Sequence, residues 1–173
     1  MKKVLVIGSS GAGKSTFARR LGEITGLEVI HLDRHFWNPG WVETPKPEWR
    51  ERVAKLLSGE SWVIDGNFGG TMEMRLAACD TVIFLDMPRL ICTWRVIKRV
   101  ITYREGTRPD ISPGCAEHVD LAFWLWTFRY PKRSRPQVEQ RLKNIENSKT
   151  IYRLRSGRAV ERFLADLESI KNL

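Results

Sequence analysis

Short apolar runs alternate along the chain with stretches in which apolar residues recur every three or four positions. The first run, residues 3–7, is rich in β-branched residues and stops at Gly8, which predicts a buried strand. Residues 14–24 then show the helical spacing, and Gly26 follows them as a typical helix end. A strand, a glycine-rich loop and a helix in this order predict the opening of a β-α-β unit.

The same alternation continues to the end of the chain. Further apolar runs predict strands at residues 27–32, 61–64, 81–85 and 150–154. Helical patterns predict helices over residues 47–57, 88–103, 119–128 and 159–170, with others that begin at residues 71 and 136. Strands that alternate with helices predict an α/β fold, with a five-stranded, mainly parallel sheet and helices on both faces.

Two segments interrupt the alternation. Residues 34–47 are rich in Trp, Pro and Gly without a clean period, which predicts a loop. Residues 105–114 are rich in turn formers and separate two predicted helices, so we interpret them as part of a mobile lid. With 173 residues, 42% of them apolar, the chain has the size of one hydrophobic core, and we expect a single domain over residues 1–173.

The composition narrows the class of protein. The three cysteines are scattered and form no CxxC pair, which favours a reducing compartment over a disulfide framework or a zinc ribbon. No apolar stretch approaches the roughly 18 residues of a membrane span. We therefore expect a cytoplasmic protein without a membrane partner.

A phosphate-binding pattern follows the first predicted strand. Residues 8–15 match the Walker A pattern GxxxxGK[ST] in full, and they lie between a predicted strand and a predicted helix. The predicted nucleotide-binding residues of this loop are Gly8, Ser9, Ser10, Gly11, Ala12, Gly13, Lys14, Ser15 and Thr16. We expect Lys14 to reach the β- and γ-phosphates and the Ser15 hydroxyl to bind Mg²⁺.

Carboxylates stand at the ends of three predicted strands, as Asp33, Asp65 and Asp86. Because parallel strands share one carboxyl edge with the phosphate loop, Asp33 and Asp65 can converge on the γ-phosphate and its Mg²⁺. The alternative for each is an aspartate that caps a helix or forms a turn, and the sequence leaves both open.

Basic residues concentrate in the middle of the chain. Of the formal net charge of +9, residues 89–135 contribute +6, with ten basic and four acidic side chains. Arg95 and Arg99 are four apart on one predicted helix face, which suggests an anion between them. Arg133 and Arg135 lie on a predicted proline-bounded loop, where arginines can close over phosphate; the alternative is a basic turn on the surface.

Several motifs together resemble a known group of proteins. The order is the Walker A loop, then His31-Leu32-Asp33-Arg34-His35-Phe36-Trp37, then Asp65-Gly66-Asn67-Phe68, then Leu85-Asp86-Met87-Pro88. This order resembles the nucleoside monophosphate kinases among the P-loop proteins. More narrowly, nearly the whole chain resembles the bacterial DNA topology modulation proteins (FlaR-like), including residues 124–136 and 154–157.

The resemblance implies a nucleoside monophosphate kinase-like fold with an acceptor-binding insert at about residues 34–60 and a lid at about residues 104–135. It implies that Arg95 and Arg99 contact the adenine and the phosphates, and that the loop at Arg155 passes beside the adenine. It also implies that Asp65 holds Mg²⁺ through water, and that Asp33 faces the acceptor hydroxyl. Arg133 and Arg135 are our choice of lid arginines over Arg104 and Arg108.

Three sets of site residues follow. The predicted catalytic residues are Lys14, Asp33, Arg99, Arg133 and Arg135. The predicted acceptor-binding residues are Asp33, Arg34, Trp37, Asp65, Asn67 and Arg75, where Arg75 replaces the acceptor-binding arginine of the resembled group. The predicted metal-binding residues are Ser15 and Asp65.

The insert is unusually aromatic, because it carries Trp37, Trp41 and Trp49. Tryptophans in a short insert can stack on a base, but more often they form its core, and we favour the core. The three histidines have no metal-ligand spacing, so we interpret them as structural.

These observations predict an ATP- and Mg²⁺-dependent kinase that transfers the γ-phosphate to a small acceptor, which is a nucleoside monophosphate or another small compound. The alternative is a nucleic-acid-binding regulator of DNA topology that uses ATP as a switch. The net charge supports that alternative, but the sequence has no helix-turn-helix signature, basic tail or aromatic RNA-binding strand. We therefore expect a nucleoside triphosphate and a small molecule as partners and do not favour nucleic acid.

Overall fold

The computed structural model of the protein describes residues 1–103, 108, 110–116 and 118–171. Its strands are β1 (Lys3–Gly8), β2 (Val29–His31), β3 (Trp37–Asn38), β4 (Val42–Glu43), β5 (Trp62–Asp65), β6 (Thr81–Leu85) and β7 (Thr150–Leu154). Its α-helices are α1 (Lys14–Thr25), α2 (Leu32–Phe36), α3 (Lys46–Leu57), α4 (Met72–Ala78), α5 (Arg89–Thr102), α6 (Leu121–Arg133), α7 (Arg135–Ile145) and α8 (Gly157–Lys171).

Five strands form one parallel sheet in the order β2-β5-β1-β6-β7. The central strand is β1, in which Val4 pairs with Val63 of β5 on one side and with Thr81 of β6 on the other. The predicted α/β fold with a five-stranded parallel sheet is confirmed. Because all five strands run in one direction, the phosphate loop after β1 shares an edge with the segments that follow the other strands.

Helices cover both faces of this sheet and bury an apolar core on each. On one face, Trp49 of α3 and Leu142 of α7 pack against strand residues such as Ile64. On the other face, Phe17 of α1 and Leu164 of α8 pack against the sheet. Trp49 is only 5% exposed, so the prediction that it belongs to the core is confirmed.

Residues 34–47 are not the continuous loop that their composition predicts. The segment includes the end of α2, the β3–β4 hairpin and the start of α3, and in the hairpin Trp37 lies opposite Glu43. The hairpin turns at Gly40 (φ 76°) and Trp41 (φ 62°). Strands of two residues are too short to show alternation, and the pattern therefore misses them.

The predicted loop around residues 131–136 is also wrong. Helix α6 continues through Pro131 to Arg133, and α7 begins at Arg135, so that only Ser134 separates the two helices. Proline removes one N–H donor from the helix. The packing of α6 against α5 and α7 outweighs that loss, and Pro136 stands in the first turn of α7, where a missing N–H is tolerated.

Each of the described helices is short and buries only one of its sides. The longest is α8, with 15 residues, and it buries Leu164 against the sheet. Within the described ranges, no helix has both the length and the apolar character needed to cross a membrane. The predicted lid at residues 104–135 is described in part, because residues 104–107, 109 and 117 lie outside the described residues.

Candidate nucleotide and acceptor site

The phosphate loop is a tight backbone turn between β1 and α1. Gly11 (φ 74°) and Gly13 (φ 93°) adopt left-handed conformations that favour glycine. A Cβ added at Gly11 would lie 2.2 Å from the carbonyl oxygen of Cys92, so α5 closes directly against the loop. The loop thus needs glycine for its conformation and for the close approach of a second backbone segment.

The N-terminus of α1 fits an anionic ligand. Its N-cap is Gly13, no described side chain caps it, and its first turn contains no acidic residue. Helix N-terminal N–H groups and the helix dipole favour phosphate at such a position. The donor set of the loop therefore fits the phosphates of a nucleoside triphosphate.

Substituting alanine for Gly11 is expected to be far more damaging than the same change at Gly26. Both glycines have φ 74°, but the space around a Cβ at Gly26 is open within 4 Å. Gly26→Ala should therefore lower the free energy of unfolding by about 1 kcal/mol, from backbone strain alone. Gly11→Ala adds the clash with Cys92 and should also weaken nucleotide binding at least about tenfold. Urea unfolding and nucleotide titration measure both effects, and equal losses in the two variants would contradict the role of Gly11.

Lys14 extends back along the loop that precedes it. Its Nζ donates a hydrogen bond to the Ser9 carbonyl oxygen over 3.0 Å. Burial lowers the pKa of Lys14, and the nearby carboxylates of Asp33 and Asp65 oppose that shift only in part. A buried ammonium group with few compensating contacts is well placed to gain from an anionic ligand.

Asp33 lies at the start of α2, directly after β2, and shares the cavity with Lys14. Burial raises the pKa of Asp33, although the positive charge of Lys14 opposes the shift. Asp65, at the end of β5, is buried and lies 2.8 Å from the Nδ1 atom of His31 through its Oδ1 atom. Burial disfavours protonation of His31, but the hydrogen bond and charge of Asp65 outweigh burial and raise its pKa.

No local sequence pattern indicates that Asp110 belongs to the site. The Ser15 hydroxyl hydrogen-bonds its carboxylate, and Arg108 Nη1 donates to it over 3.1 Å. Burial by itself would raise the pKa of Asp110, but Arg108 and Ser15 outweigh burial and lower it. Asp110 comes from a turn-rich stretch without periodicity, so only its Asp-containing turn could have marked it as a candidate.

Ser15 and Asp65 could both serve a Mg²⁺ ion that arrives with a nucleotide. In the described part of the chain, no three His, Cys, Asp or Glu side chains cluster as a metal site. Magnesium takes most of its ligands from phosphate oxygens and water, with one or two protein oxygens. The Ser15 hydroxyl at the start of α1, with Asp33, Asp65 and Asp110 nearby, fits that requirement.

Asn67 lines the cavity and also supports the phosphate loop, so its role in acceptor binding stays a prediction. Its Oδ1 atom accepts a hydrogen bond from the Gly8 N–H (3.1 Å), and its Nδ2 atom donates to the Gly8 carbonyl oxygen (2.6 Å). The polar atoms of the amide are thus engaged by the backbone at the end of β1. Asn67 fixes the loop to the segment after β5.

Arg75 is not placed to bind the acceptor, which corrects its prediction. Its side chain is fully buried under the segment after β5, and it donates to the carbonyl oxygens of Gly66, Asn67 and Phe68 over 2.7, 2.7 and 2.8 Å. Through these bonds of its two terminal nitrogens, Arg75 holds that segment in place. A second predicted acceptor-binding residue, Arg34, is exposed on α2 and does not line the cavity.

Arg75→Met should therefore act on stability. The variant leaves three carbonyl groups without their partner, and we expect the free energy of unfolding to fall by about 3 kcal/mol or more. The matched change at an exposed position, Arg34→Met, should alter it by less than about 0.5 kcal/mol. Urea denaturation measures both. An Arg75→Met protein of undiminished stability would restore a ligand-binding role for Arg75.

The helix arginines approach the phosphate loop as their spacing suggests. Arg95 Nη1 lies 3.4 Å from the Ala12 carbonyl oxygen. Arg99 lines the cavity, and its guanidinium carbon lies 5.8 Å from the ring centroid of Phe123. Their roles toward the nucleotide stay predictions.

The predicted lid arginines lie outside the cavity wall. Arg133 is exposed at the end of α6, and Arg135 donates to Asp86 over 2.8 Å at the end of β6. Neither lines the cavity, whereas Arg108 does. Arg133 and Arg135 stand at the junction of two helices and not on a loop, and their catalytic role stays a prediction. Arg104 lies outside the described residues.

The remaining arginine prediction concerns the loop after β7. Arg155 is mostly exposed, and its Nε atom lies 3.5 Å from the same carboxylate of Asp86. Glu139 connects the group further, because it accepts from Arg153 over 2.8 Å. Arg155 thus lies beside an ion-pair network at the carboxyl end of β6, and a contact with adenine stays a prediction.

The site opens into a cavity of about 660 Å³. Ser10, Lys14 and Asp33 line it at the phosphate loop. Much of the remaining wall is aromatic, formed by Trp37, Trp41, Phe68, Phe123, Trp126 and Tyr130. The volume is in the range of small-molecule sites.

A parallel sheet with a Walker A loop at its carboxyl edge, and a helix N-terminus behind that loop, defines a P-loop nucleotide-binding fold. Solved kinases share this architecture. The chain is similar to shikimate kinase from Acinetobacter baumannii in complex with shikimate, with a TM-score of 0.61 and 16% identity, over 99% of this chain and 94% of that chain.

A second similar structure is shikimate kinase from Bacteroides thetaiotaomicron, with a TM-score of 0.55 and 18% identity over 98% of both chains. No protein-family model matches the sequence, and no curated protein is significantly similar to it. At these identities the likeness establishes the fold, which is that of the P-loop kinases.

Proposed function

We propose that the protein is an ATP-dependent kinase that transfers the γ-phosphate to a hydroxyl group of a small acceptor. The observation that carries the proposal is the meeting of Lys14, from the phosphate loop, and Asp33, from the end of β2, in one cavity. Lys14 is the cation for the phosphates, and Asp33 is the carboxylate for the acceptor.

The acceptor group is a hydroxyl rather than a phosphate for two reasons. A hydroxyl must lose a proton as it attacks, and a carboxylate near the phosphate loop can accept that proton. A phosphate acceptor needs arginines beyond those that serve the transferred phosphate. Arg75, the predicted arginine for this task, is committed to backbone carbonyls, and we assign Arg99 and Arg108 on the cavity wall to the transferred phosphate. Asp33 therefore has a use with a hydroxyl acceptor that it lacks with a phosphate.

Different residues of the chain bind the phosphates, supply positive charge and exclude water during phosphoryl transfer. Lys14 and the α1 N-terminus bind and orient the phosphates, and Arg99 and Arg108 add positive charge on the cavity wall. Mg²⁺, held by the Ser15 hydroxyl with the nearby carboxylates, would neutralise phosphate charge when bound. The aromatic wall excludes water that would compete with the acceptor.

We further propose that the protein is related to the bacterial DNA topology modulation proteins (FlaR-like), as its sequence motifs suggest, and that it is cytoplasmic. A small-molecule kinase remains the favoured activity. The cavity arginines line a cleft of about 660 Å³, a volume that suits a small ligand, whereas duplex DNA needs basic groups spread over an open surface. An ATP-dependent DNA-binding regulator is the alternative.

A coupled ADP-release assay with ATP and Mg²⁺ tests the proposal. The panel comprises hydroxyl acceptors, nucleoside monophosphates and duplex DNA, each against an acceptor-free control. ADP release that depends on a hydroxyl acceptor, together with a phosphorylated product in mass spectrometry, would support the kinase. Release stimulated only by nucleoside monophosphates would overturn the hydroxyl assignment. Release stimulated only by DNA would favour the regulator.

A further inference from the structure

Two aromatic walls face the cavity from different parts of the fold. The β3–β4 hairpin supplies Trp37 and Trp41, whose ring centroids are 5.3 Å apart at an interplanar angle of 72°. Helix α6 supplies Phe123 and Trp126, which are stacked with centroids 5.7 Å apart and an angle of 17°. Aromatic faces from two separate elements thus line one space.

The hairpin holds Trp41 in a conformation that its backbone disfavours. Among the described residues, Trp41 is the one non-glycine residue whose φ lies in the left-handed region (62°). Its indole N–H donates to the Ala116 carbonyl oxygen over 2.8 Å, and the neighbouring Gly40 N–H donates to the Gly114 carbonyl oxygen over 3.0 Å. A bulky side chain kept in such a conformation indicates a functional constraint on its position.

Core packing does not account for these rings. Trp49 and Trp62 are the tryptophans that fill the core, at 5% and 1% exposure. Trp126, by contrast, remains 37% exposed while it faces the cavity, and Trp37 and Trp41 are only half-buried. Partly exposed indole faces around a cavity are the surfaces on which a planar ring can stack.

We propose that the acceptor carries a planar aromatic ring, which binds between the Trp37–Trp41 wall and the Phe123–Trp126 wall and presents its hydroxyl to Asp33. This inference rests on the proposed kinase function. Glu43 and Asp120 also line the cavity and can accept hydrogen bonds from N–H or O–H groups at the edge of the ring. A heteroaromatic alcohol fits better than a hydrocarbon, and a nucleoside or a substituted pyridine alcohol would supply this chemistry.

Direct binding tests the inference without catalysis. Isothermal titration uses the protein saturated with a non-hydrolysable ATP analogue and Mg²⁺. The aromatic, ring-containing probes are thymidine, guanosine and pyridoxine, and the probes without an aromatic ring are glycerol, shikimate and choline. We expect at least one aromatic probe to bind tenfold or more tightly than every probe without an aromatic ring. Preference for choline would replace the ring with a cation held by aromatic faces. Preference for shikimate or glycerol, or no binding by any probe, would overturn the inference.

A pair of tryptophan variants tests the stacking surface. Trp126→Leu removes a cavity wall, and Trp94→Leu removes an exposed tryptophan of α5 outside the cavity. For the best ring-containing probe, Trp126→Leu should raise Kd and KM about tenfold to hundredfold, with the KM for ATP unchanged. Trp94→Leu should leave these constants unchanged. Equal constants in Trp126→Leu and the parent protein would refute the stacking role.

The two proposals fail in distinguishable ways. If ring-containing probes bind and Trp126→Leu weakens them, but no phosphate is transferred, the kinase proposal fails and the aromatic site stands. If phosphate is transferred only to acceptors without an aromatic ring and Trp126→Leu has no effect, the kinase stands and the aromatic acceptor is wrong.

Discussion

Lys14→Ala is expected to abolish measurable phosphoryl transfer, with a fall in kcat/KM of about a thousandfold or more. The ammonium group is the cation that the phosphate loop itself supplies, and its contact in the structure is with the Ser9 carbonyl oxygen of the same loop. No other side chain of the loop carries positive charge. Removing it takes charge from the position where negative charge builds up on the transferring phosphate.

The fold should tolerate this change. Because burial lowers the pKa of Lys14, the charged side chain is disfavoured in the folded protein, and alanine removes that penalty together with one hydrogen bond. We expect the free energy of unfolding to change by about 1 kcal/mol at most. Far-UV circular dichroism and urea denaturation check the fold, and ADP release checks the activity.

The matched control is Lys98→Ala, which removes an exposed lysine of α5 outside the cavity. That variant should keep its activity and its stabilisation by ATP in thermal unfolding, whereas Lys14→Ala should lose both. Full activity in a folded Lys14→Ala protein would remove the phosphate loop from the catalytic site.

Local sequence pattern accounts for the sheet and for the position of the phosphate loop. The run at residues 81–85 and the run at residues 150–154 coincide with β6 and β7. Strand β6 is a fully buried apolar run because an interior parallel strand is covered on both faces, whereas β7 at the sheet edge is largely exposed. The Walker A pattern combines local geometry with chemistry, so its place between β1 and α1 could be predicted directly.

The site residues that the sequence misplaced depend on contacts between distant segments. Arg75 is a charged residue on a short helix, and nothing local indicates that it turns inward to three backbone carbonyls. Asp110 meets Ser15 only because a segment without periodicity folds back onto the phosphate loop. Arg135 follows an apparent proline boundary, but tertiary packing continues the helices and pairs it with Asp86.

Asp33→Asn is expected to lower kcat about 10²- to 10⁴-fold while ATP still binds. Asparagine keeps the size of the side chain and one acceptor oxygen, but it cannot take the proton of the acceptor hydroxyl. The KM for ATP should change little, because the phosphate loop and Lys14 are intact. Steady-state kinetics with the acceptor found in the ADP-release screen measures both constants.

The pH dependence separates loss of a base from loss of a contact. Burial raises the pKa of Asp33, so the ionised form that accepts the proton appears at higher pH than it would for an ordinary aspartate. Activity of the parent protein should rise with pH through that raised pKa, and Asp33→Asn should lose this limb of the profile. A variant that retains the limb at reduced height would indicate that Asp33 positions the acceptor without taking its proton.

As pH rises through this range, the free energy of unfolding of the parent protein should fall while its activity rises. Because the pKa of Asp33 is higher in the folded protein than in the unfolded chain, folded molecules hold the proton more tightly, and the ionisation of Asp33 reduces stability as pH rises between the two values. Asp33→Asn removes that loss, so its free energy of unfolding at neutral pH should equal or exceed that of the parent protein. The control Asp166→Asn, at an exposed position on α8, should change neither kcat nor stability. A destabilised Asp33→Asn protein would mean that Asp33 serves the fold, and the carboxylate would then have to be sought at Asp65 or Asp110.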